Sequence, residues 1–103
     1  MRLKEKATSR TQASERWTVY ILHCADRTYY TGIARDPARR LLEHNGQDGR
    51  GARYTRARQP VQMVYTETAR GRSQAQCREA AIKKLSRAQK IRLVSHGGTT
   101  PAN

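Results

Sequence analysis

Apolar and aromatic residues are scarce in this sequence. It has no Phe and one Trp, and 36% of its 103 residues are hydrophobic. Because short chains bury a small share of their surface, this composition predicts one domain with a small core. No run approaches the roughly 18 apolar residues that a membrane-spanning helix needs, so we expect no membrane partner.

Cysteine is scarce as well. Cys24 and Cys77 could form one disulfide, but in a reducing cytosol we expect two free thiols. The cysteines and histidines do not have the spacing of a zinc site. Residues 1–16 lack the apolar stretch of a signal peptide, and the sequence therefore predicts a cytoplasmic protein.

Negative charge is the third shortage. Eight acids stand against 21 Lys and Arg residues, which gives a formal net charge of +13. Such an excess destabilises a compact domain by self-repulsion unless a polyanion is its normal partner. The alternative to a polyanionic partner is a basic surface whose only effect is to keep the protein soluble. Guanidinium groups match phosphate oxygens, and no basic amphipathic helix with bulky apolar residues is visible. The charge therefore predicts nucleic acid as the partner.

Hydrophobic periodicity divides the chain into three parts. Residues 1–16 have none, which indicates a flexible basic arm, and residues 97–103 indicate a disordered tail. Residues 17–96 predict one α+β domain, a small three-stranded antiparallel sheet flanked by helices in the order ββαβαα. The first strand begins at Trp17 and is apolar on both faces, so we expect it to be the central strand. The other two strands are predicted at 29–33 and 61–68.

Helix signals follow the hairpin. Asp36 as N-cap and Pro37 at the first helical position predict a helix to about His44, which ends in a left-handed cap at Asn45-Gly46. Residues 46–59 predict a loop rich in Gly and Arg. Two further helices are predicted by the capping boxes Ser73/Gln76 and Ser86/Gln89.

Five residues have side chains suited to phosphodiester hydrolysis: Tyr20, Tyr30, Arg40, His44 and Glu79. Two neighbouring strands can point two tyrosine hydroxyls at one shallow site, and the helix behind them can add a guanidinium and an imidazole from one face. Glu79 is the single acid between positions 70 and 95, and it could bind one hard divalent cation. Hydrolysis needs a base for water, positive charge for the transition state and a metal for the leaving oxygen.

Each of these residues has a structural alternative. The two tyrosines could be ordinary strand aromatics, and Arg39 and Arg40 could form a solvated helix face. His44 could be a cation favoured at a helix C-terminus. Glu79 could be an ion-pair partner of its basic neighbours. The combination is more informative than any single member.

Two tripeptides frame the hairpin, Thr18-Val19-Tyr20 and Tyr30-Thr31-Gly32, and the helix with Arg40 and His44 follows. Together with Glu79, this arrangement resembles the GIY-YIG nuclease domain, in particular its small stand-alone bacterial members. The resemblance covers about Trp17 to Leu93. The Gly-Ala-Arg-Tyr-Thr stretch at 51–55 also resembles the catalytic domain of the eukaryotic nuclease that cuts branched DNA.

The resemblance implies a role for each candidate residue. Tyr20 or Tyr30 would act as the general base or orient it, Arg40 would stabilise the scissile phosphate, and His44 lies one turn later. Glu79 would bind one divalent cation, Mg²⁺ or Mn²⁺. The candidate substrate contacts are Gly32, Arg35, Arg39, Arg53 and Tyr54.

The implied activity is that of a metal-dependent endonuclease acting on DNA. Single-stranded or branched DNA is favoured because no second DNA-binding domain is visible. Thr18 and Thr31 depart from the family tripeptides, and Ile33 stands where some relatives have a lysine, so that role falls to Arg35 or is absent. The alternative from another class is a nucleic-acid-binding module, for DNA or RNA, without useful turnover.

Overall fold

The computed structural model describes residues 16–46 and 52–97. The predicted basic arm and tail lie outside these ranges, apart from Arg16, which begins the first strand, and Gly97, which ends the last helix. Part of the predicted loop, residues 47–51, also lies outside them. None of the helices in the described ranges has the length and apolar character needed to cross a membrane.

Three strands and four helices make up the described part of the chain, and they confirm the predicted α+β class. The strands form one antiparallel sheet in the order β2-β1-β3. The element order is ββααβαα, so the predicted order ββαβαα missed one helix of four residues, which is too short to produce a periodic pattern. The elements are β1 Arg16–Cys24, β2 Tyr29–Ala34, α1 Pro37–Asn45, α2 Arg53–Arg56, β3 Val61–Arg70, α3 Gly71–Lys83 and α4 Arg87–Gly97.

Strand β1 is central, as its apolar character on both faces predicts. Side chains alternate between the two faces of a strand, and here each face has its own buried cluster. Val19 and Ile21 pack with Ile82 of α3 on one face, whereas Tyr20 and Leu22 belong to the cluster on the other. The sheet therefore presents the Tyr20 hydroxyl on the face opposite the larger core.

Two of the predicted helix caps are confirmed. Asp36 Oδ1 accepts a hydrogen bond of 3.1 Å from the backbone N–H of Arg39, with Pro37 at the first helical position. Ser86 and Gln89 form a reciprocal capping box, with bonds of 2.9 and 3.1 Å. Both caps depend on contacts within three residues, which a local sequence pattern specifies well.

Two other helix-end predictions are wrong in part: α1 ends at Asn45 as predicted but without a left-handed cap, and α3 begins earlier than predicted. Gly46 has an extended conformation (φ −81°, ψ 167°) instead of a left-handed one, because the Asn45 side chain bonds both backbone groups of Val61 and so ties the end of α1 to β3. Helix α3 begins at Gly71, two residues before the predicted cap. The Arg70 N–H donates to Gln74 Oε1 at 2.6 Å, so Gln74 takes the place predicted for Gln76.

Gly32 lies directly opposite Tyr20 in the β1–β2 ladder. A Cβ atom built at Gly32 would lie 2.5 Å from the Tyr20 hydroxyl oxygen and 2.6 Å from Tyr20 Cζ. The phenol ring therefore crosses the backbone of β2 in the space that a side chain would fill. Tyr20 is 1% exposed, and this glycine allows its ring to be buried against the edge strand.

We predict that Gly32→Ala destabilises the fold by about 1–3 kcal/mol, because the added methyl overlaps the Tyr20 ring. Urea unfolding measures the change. In a double-mutant cycle with Tyr20→Leu, the alanine should cost much less once the phenol is gone. Additive effects of the two substitutions would contradict the steric explanation.

Candidate active site

The Tyr20 hydroxyl is the meeting point of the site. Arg40 and His44 are one helical turn apart on α1, so both face the strand that carries Tyr20. The Tyr20 oxygen lies 2.9 Å from His44 Nε2, and the Arg40 guanidinium also forms a hydrogen bond with it. Since an arginine can only donate, the Tyr20 oxygen accepts from Arg40, and the direction of its bond to His44 depends on the tautomer of the imidazole.

Thr55, in the short helix α2, completes this chain of hydrogen bonds. His44 Nδ1 lies 2.7 Å from Thr55 Oγ1, and the Thr55 hydroxyl donates to the Ala52 carbonyl at 3.0 Å. A hydroxyl has one proton, so His44 Nδ1 must be the donor to Thr55 and Nε2 the acceptor from Tyr20. The network therefore assigns the Nδ1–H tautomer to a neutral His44.

Burial shifts the pKa values of the two central groups in opposite directions. It raises the pKa of the Tyr20 phenol to about 12, against the smaller opposing effect of the Arg40 hydrogen bond. Burial and the Arg40 charge lower the pKa of His44 from 6.5 to about 4. At neutral pH the phenol thus keeps its proton and the imidazole is neutral, which is the state that the hydrogen bonds require.

The low pKa of His44 also links its protonation to stability. The unfolded imidazole binds a proton below about pH 6.5, whereas the folded one resists it down to about pH 4. Neutral His44 therefore contributes stability that is complete above pH 6.5 and is lost as the pH falls to 4. The shift corresponds to about 3 kcal/mol.

Tyr30 joins the site through its ring. Its centroid is 5.3 Å from that of His44, edge to face, and 5.8 Å from that of Tyr54, in a stacked arrangement. The Arg58 guanidinium lies 3.8 Å from the Tyr54 ring centroid, and Arg58 also pairs with Asp26 at 2.8 Å. Tyr54 is thus engaged by Tyr30 and by Arg58, an arrangement that supports Tyr30 and differs from the base stacking expected for Tyr54.

Glu79 lies on α3 and is linked to the site by charge. Its negative charge is among the causes that raise the pKa of Tyr20, which places the carboxylate within electrostatic range of the phenol. The side chain is 22% exposed and pairs with Lys83 at 3.4 Å. The predicted ion pair is therefore present, and it leaves the Glu79 carboxylate partly accessible.

Within the described residues, the hydrogen bonds around Tyr20 do not include the remaining predicted substrate contacts. Arg39 is exposed and pairs with Glu43 at 3.4 Å, and Arg53 is exposed at the start of α2. Arg35 lies with its Cζ atom 5.8 Å from the Trp17 ring centroid, beyond the end of β2. The Tyr20 ring fills the space that a side chain at position 32 would occupy, which gives Gly32 a packing role. The contact of Gly32 with substrate stays a prediction.

Three residues of the site are missing from the sequence prediction: Thr55, Arg58 and Glu43. Glu43 accepts a hydrogen bond of 2.8 Å from Arg40, and its spacing of three residues on α1 is a signal that sequence reasoning had available. Thr55 and Arg58 lie in a segment without periodicity, and their partners are distant in sequence. Only the Gly-Ala-Arg-Tyr-Thr stretch marks Thr55 as a candidate.

Comparison with known proteins identifies the family of the chain. A family model described as the GIY-YIG catalytic domain matches residues 16–92. A UPF0213 protein from Desulfotalea psychrophila is 58% identical over 78 residues, which are 76% of this chain and 70% of that protein. A UPF0213 protein from Halobacterium salinarum is 53% identical over 72 residues, 70% of this chain and 91% of that one.

Two solved structures are similar as well. The solution structure of a UPF0213 protein from Bacillus halodurans has a TM-score of 0.52 and 40% identity, and the match covers 82% of this chain and 87% of that one. The solution structure of an E. faecalis protein has a TM-score of 0.54 and 43% identity, with 79% and 84% covered. At these identities the likeness extends to sequence as well as to backbone.

We predict that Thr55→Val lowers the free energy of unfolding by about 1–3 kcal/mol, because His44 Nδ1–H would stay buried without its acceptor. Denaturant unfolding at pH 7 measures the loss. Thr55→Ser is the control, since it keeps the hydroxyl and should lose only about 0.8 kcal/mol for one buried methyl group. Equal stability of the two variants would contradict the assigned hydrogen bond.

Proposed function

Because the chain belongs to the GIY-YIG catalytic domain family, we propose that it is a metal-dependent endonuclease that hydrolyses phosphodiester bonds in DNA. Membership of this family implies interaction with nucleic acid. The observation that carries the proposal is the convergence of Arg40 and His44 on the Tyr20 hydroxyl, with the Glu79 charge within electrostatic range of the same phenol. Packing alone does not require a buried phenol to be hydrogen-bonded by both a guanidinium and an imidazole.

Proton transfer from the attacking water runs through Tyr20 in this proposal. The Tyr20 oxygen has a second lone pair beside the one that accepts from Arg40. Because Tyr20 is 1% exposed in the free protein, the water that donates to this lone pair would enter together with the substrate. As the water loses its proton to Tyr20, the phenol proton passes to His44 Nε2 across 2.9 Å. Tyr20 therefore never needs to be a free phenolate, which its raised pKa disfavours at neutral pH.

The substrate itself would adjust His44 for this role. In the free protein, burial and the Arg40 charge hold the pKa of His44 at about 4. A phosphodiester beside Arg40 brings a negative charge that offsets the guanidinium and favours the protonated imidazole. His44 would thus become a better proton acceptor when substrate is bound.

Arg40 and Tyr30 supply contacts to the reacting phosphate. Arg40 is oriented by Glu43 at 2.8 Å and by Tyr20, so its guanidinium charge has a defined position for stabilising the transition state. The Tyr30 hydroxyl forms no hydrogen bond within the described residues, although its ring is held by His44 and Tyr54. It is thus placed to donate to a phosphate oxygen or to orient the water.

A single divalent cation fits the donor set near Tyr20. Glu79 offers one partly exposed carboxylate, and the described residues contain no group of three His, Cys, Asp or Glu that could form a closed metal cage. Mg²⁺ commonly keeps several waters and binds through one or two carboxylates together with substrate phosphate. When bound, Mg²⁺ or Mn²⁺ would supply positive charge for the leaving oxygen.

Single-stranded or branched DNA is the substrate form that we propose. The described residues form one small domain with its site beside an edge strand of the sheet. A phosphodiester in a flexible strand can enter such a shallow site without deformation of a long duplex, which would add an energetic cost. The net charge of +13 favours any such strand through its backbone.

A second candidate function is nucleic-acid binding without turnover. The ion pair between Lys83 and Glu79 at 3.4 Å favours it, because a carboxylate already paired with an ammonium has less charge to offer a cation. This alternative predicts salt-sensitive binding that is independent of metal and of Glu79. The cleavage experiment below separates the two functions.

We predict that Glu79→Gln abolishes cleavage of labelled single-stranded and branched DNA in the presence of Mg²⁺ or Mn²⁺, with a loss of at least about 100-fold. Glu67→Gln is the matched control. Its carboxylate is similarly exposed, 23% against 22%, and also pairs with a basic residue, Arg78. Equal activity of the Glu79 and Glu67 variants, or no cleavage by the wild type, would contradict the proposal and favour the binding module.

A further inference from the structure

A polar strip extends from Tyr20 along the same face of the sheet. Residues directly opposite each other on antiparallel strands have side chains on one face, and successive pairs on that face are two residues apart. In β1 and β3 the pairs on the Tyr20 face are Tyr20/Thr66, Thr18/Thr68 and Arg16/Arg70. The register shift of this ladder lies beyond the strip, between Ile21 and Leu22.

The far end of the strip is a groove of about 300 Å³, lined by Arg16, Thr68, Ala69 and Arg70. Three of these four residues belong to the Tyr20 face. Arg16 and Arg70 are exposed, and Thr68 is exposed as well. Neither arginine forms an ion pair with an acid in the described part of the chain. We call this site the arginine groove.

The pairing of Arg16 with Arg70 works against stability. Like charges directly opposite each other on two strands are destabilising. A pair of neutral residues at these two positions would avoid this cost. Two guanidiniums beside a threonine hydroxyl provide several donors and no negative charge. That chemistry matches a phosphate, whose oxygens accept from paired N–H groups.

More positive charge surrounds the same end of the sheet. Trp17, next to Arg16, has the Cζ atoms of Arg35 and Arg72 each 5.8 Å from its ring centroid. These cation–π contacts hold two further guanidiniums at the same end of the sheet. Four arginines therefore meet at the end of β1, on both faces of the sheet.

We propose that the arginine groove binds a backbone phosphate of the nucleic-acid strand whose scissile phosphate lies at Tyr20. This inference rests on the proposed function. Arg16 and Tyr20 are four residues apart on one strand, or about 13 Å at 3.3 Å per residue. The axial rise between phosphates in one strand of a duplex, about 3.4 Å, is a lower limit for an extended single strand, so the groove holds a phosphate no more than about four nucleotides from the cleaved bond.

Binding is tested in the Glu79→Gln background, where the strand stays intact. The probe is a fluorescein-labelled single-stranded oligothymidine long enough to span both sites. Adding Arg16→Gln and Arg70→Gln should weaken binding about tenfold and reduce the salt slope of log K by about 0.7 for each phosphate that the protein no longer neutralises. The control adds Lys84→Gln and Arg92→Gln, which remove the same charge from exposed positions near and on α4 and should weaken binding less than about threefold.

Strand length provides the second arm of the test. A thymidine dinucleotide without terminal phosphates has a single phosphodiester and cannot place one phosphate at Tyr20 and a second in the groove, so the two arginine substitutions should weaken binding of this short probe no more than the control pair does. Equal losses from the arginine pair and the control pair with the long probe would overturn the proposal. So would equal effects of the arginine pair on short and long probes.

Arg16→Glu separates binding from folding. It places a carboxylate opposite Arg70 and should raise Tm by a few degrees, while it weakens binding of the long probe more than Arg16→Gln does. A fall in both quantities would indicate a structural role for Arg16 and overturn the proposal. Cleavage by wild type without any groove effect would refute the groove alone, and groove-dependent binding without wild-type cleavage would refute the nuclease alone.

Discussion

The buried hydroxyl of Tyr20 is the constraint on which the site depends. A phenol that is 1% exposed must satisfy both its donor and its acceptor capacity inside the protein. Arg40 and His44 do so from α1, Thr55 from α2 then fixes the imidazole, and Gly32 of β2 leaves room for the ring. The contacts of Tyr20 and of its partner His44 therefore connect β1, β2, α1 and α2.

That network explains why the short helix α2 matters. Its segment is rich in Arg and, from sequence, is predicted to be a surface loop for substrate. In the structure, Thr55 is fully buried against His44, and Tyr54 stacks on Tyr30. The segment supports the two aromatic groups closest to Tyr20, whereas the exposed Arg53 remains accessible to substrate. The same few residues therefore combine a structural role with a candidate binding role.

Sequence alone predicted the parts that depend on short-range pattern. The central position of β1, the Asp36 cap and the Ser86/Gln89 capping box follow from neighbours within a few residues, and all are present. The failures involve long-range partners. Asn45 is drawn into a contact with Val61, sixteen residues away, and so does not form the predicted left-handed cap. Thr55 meets His44 across eleven residues, and no periodic signal marks it.

The most direct test of the account is the protonation of His44, measured by nitrogen chemical shifts of the wild-type protein across a pH titration. The network requires a neutral ring at pH 7 with its proton on Nδ1, donated to Thr55. Burial and the Arg40 charge should keep the ring neutral until the pH falls to about 4. A midpoint near the ordinary value of 6.5, or a proton on Nε2 at neutral pH, would contradict the hydrogen-bond chain and the proton transfer built on it.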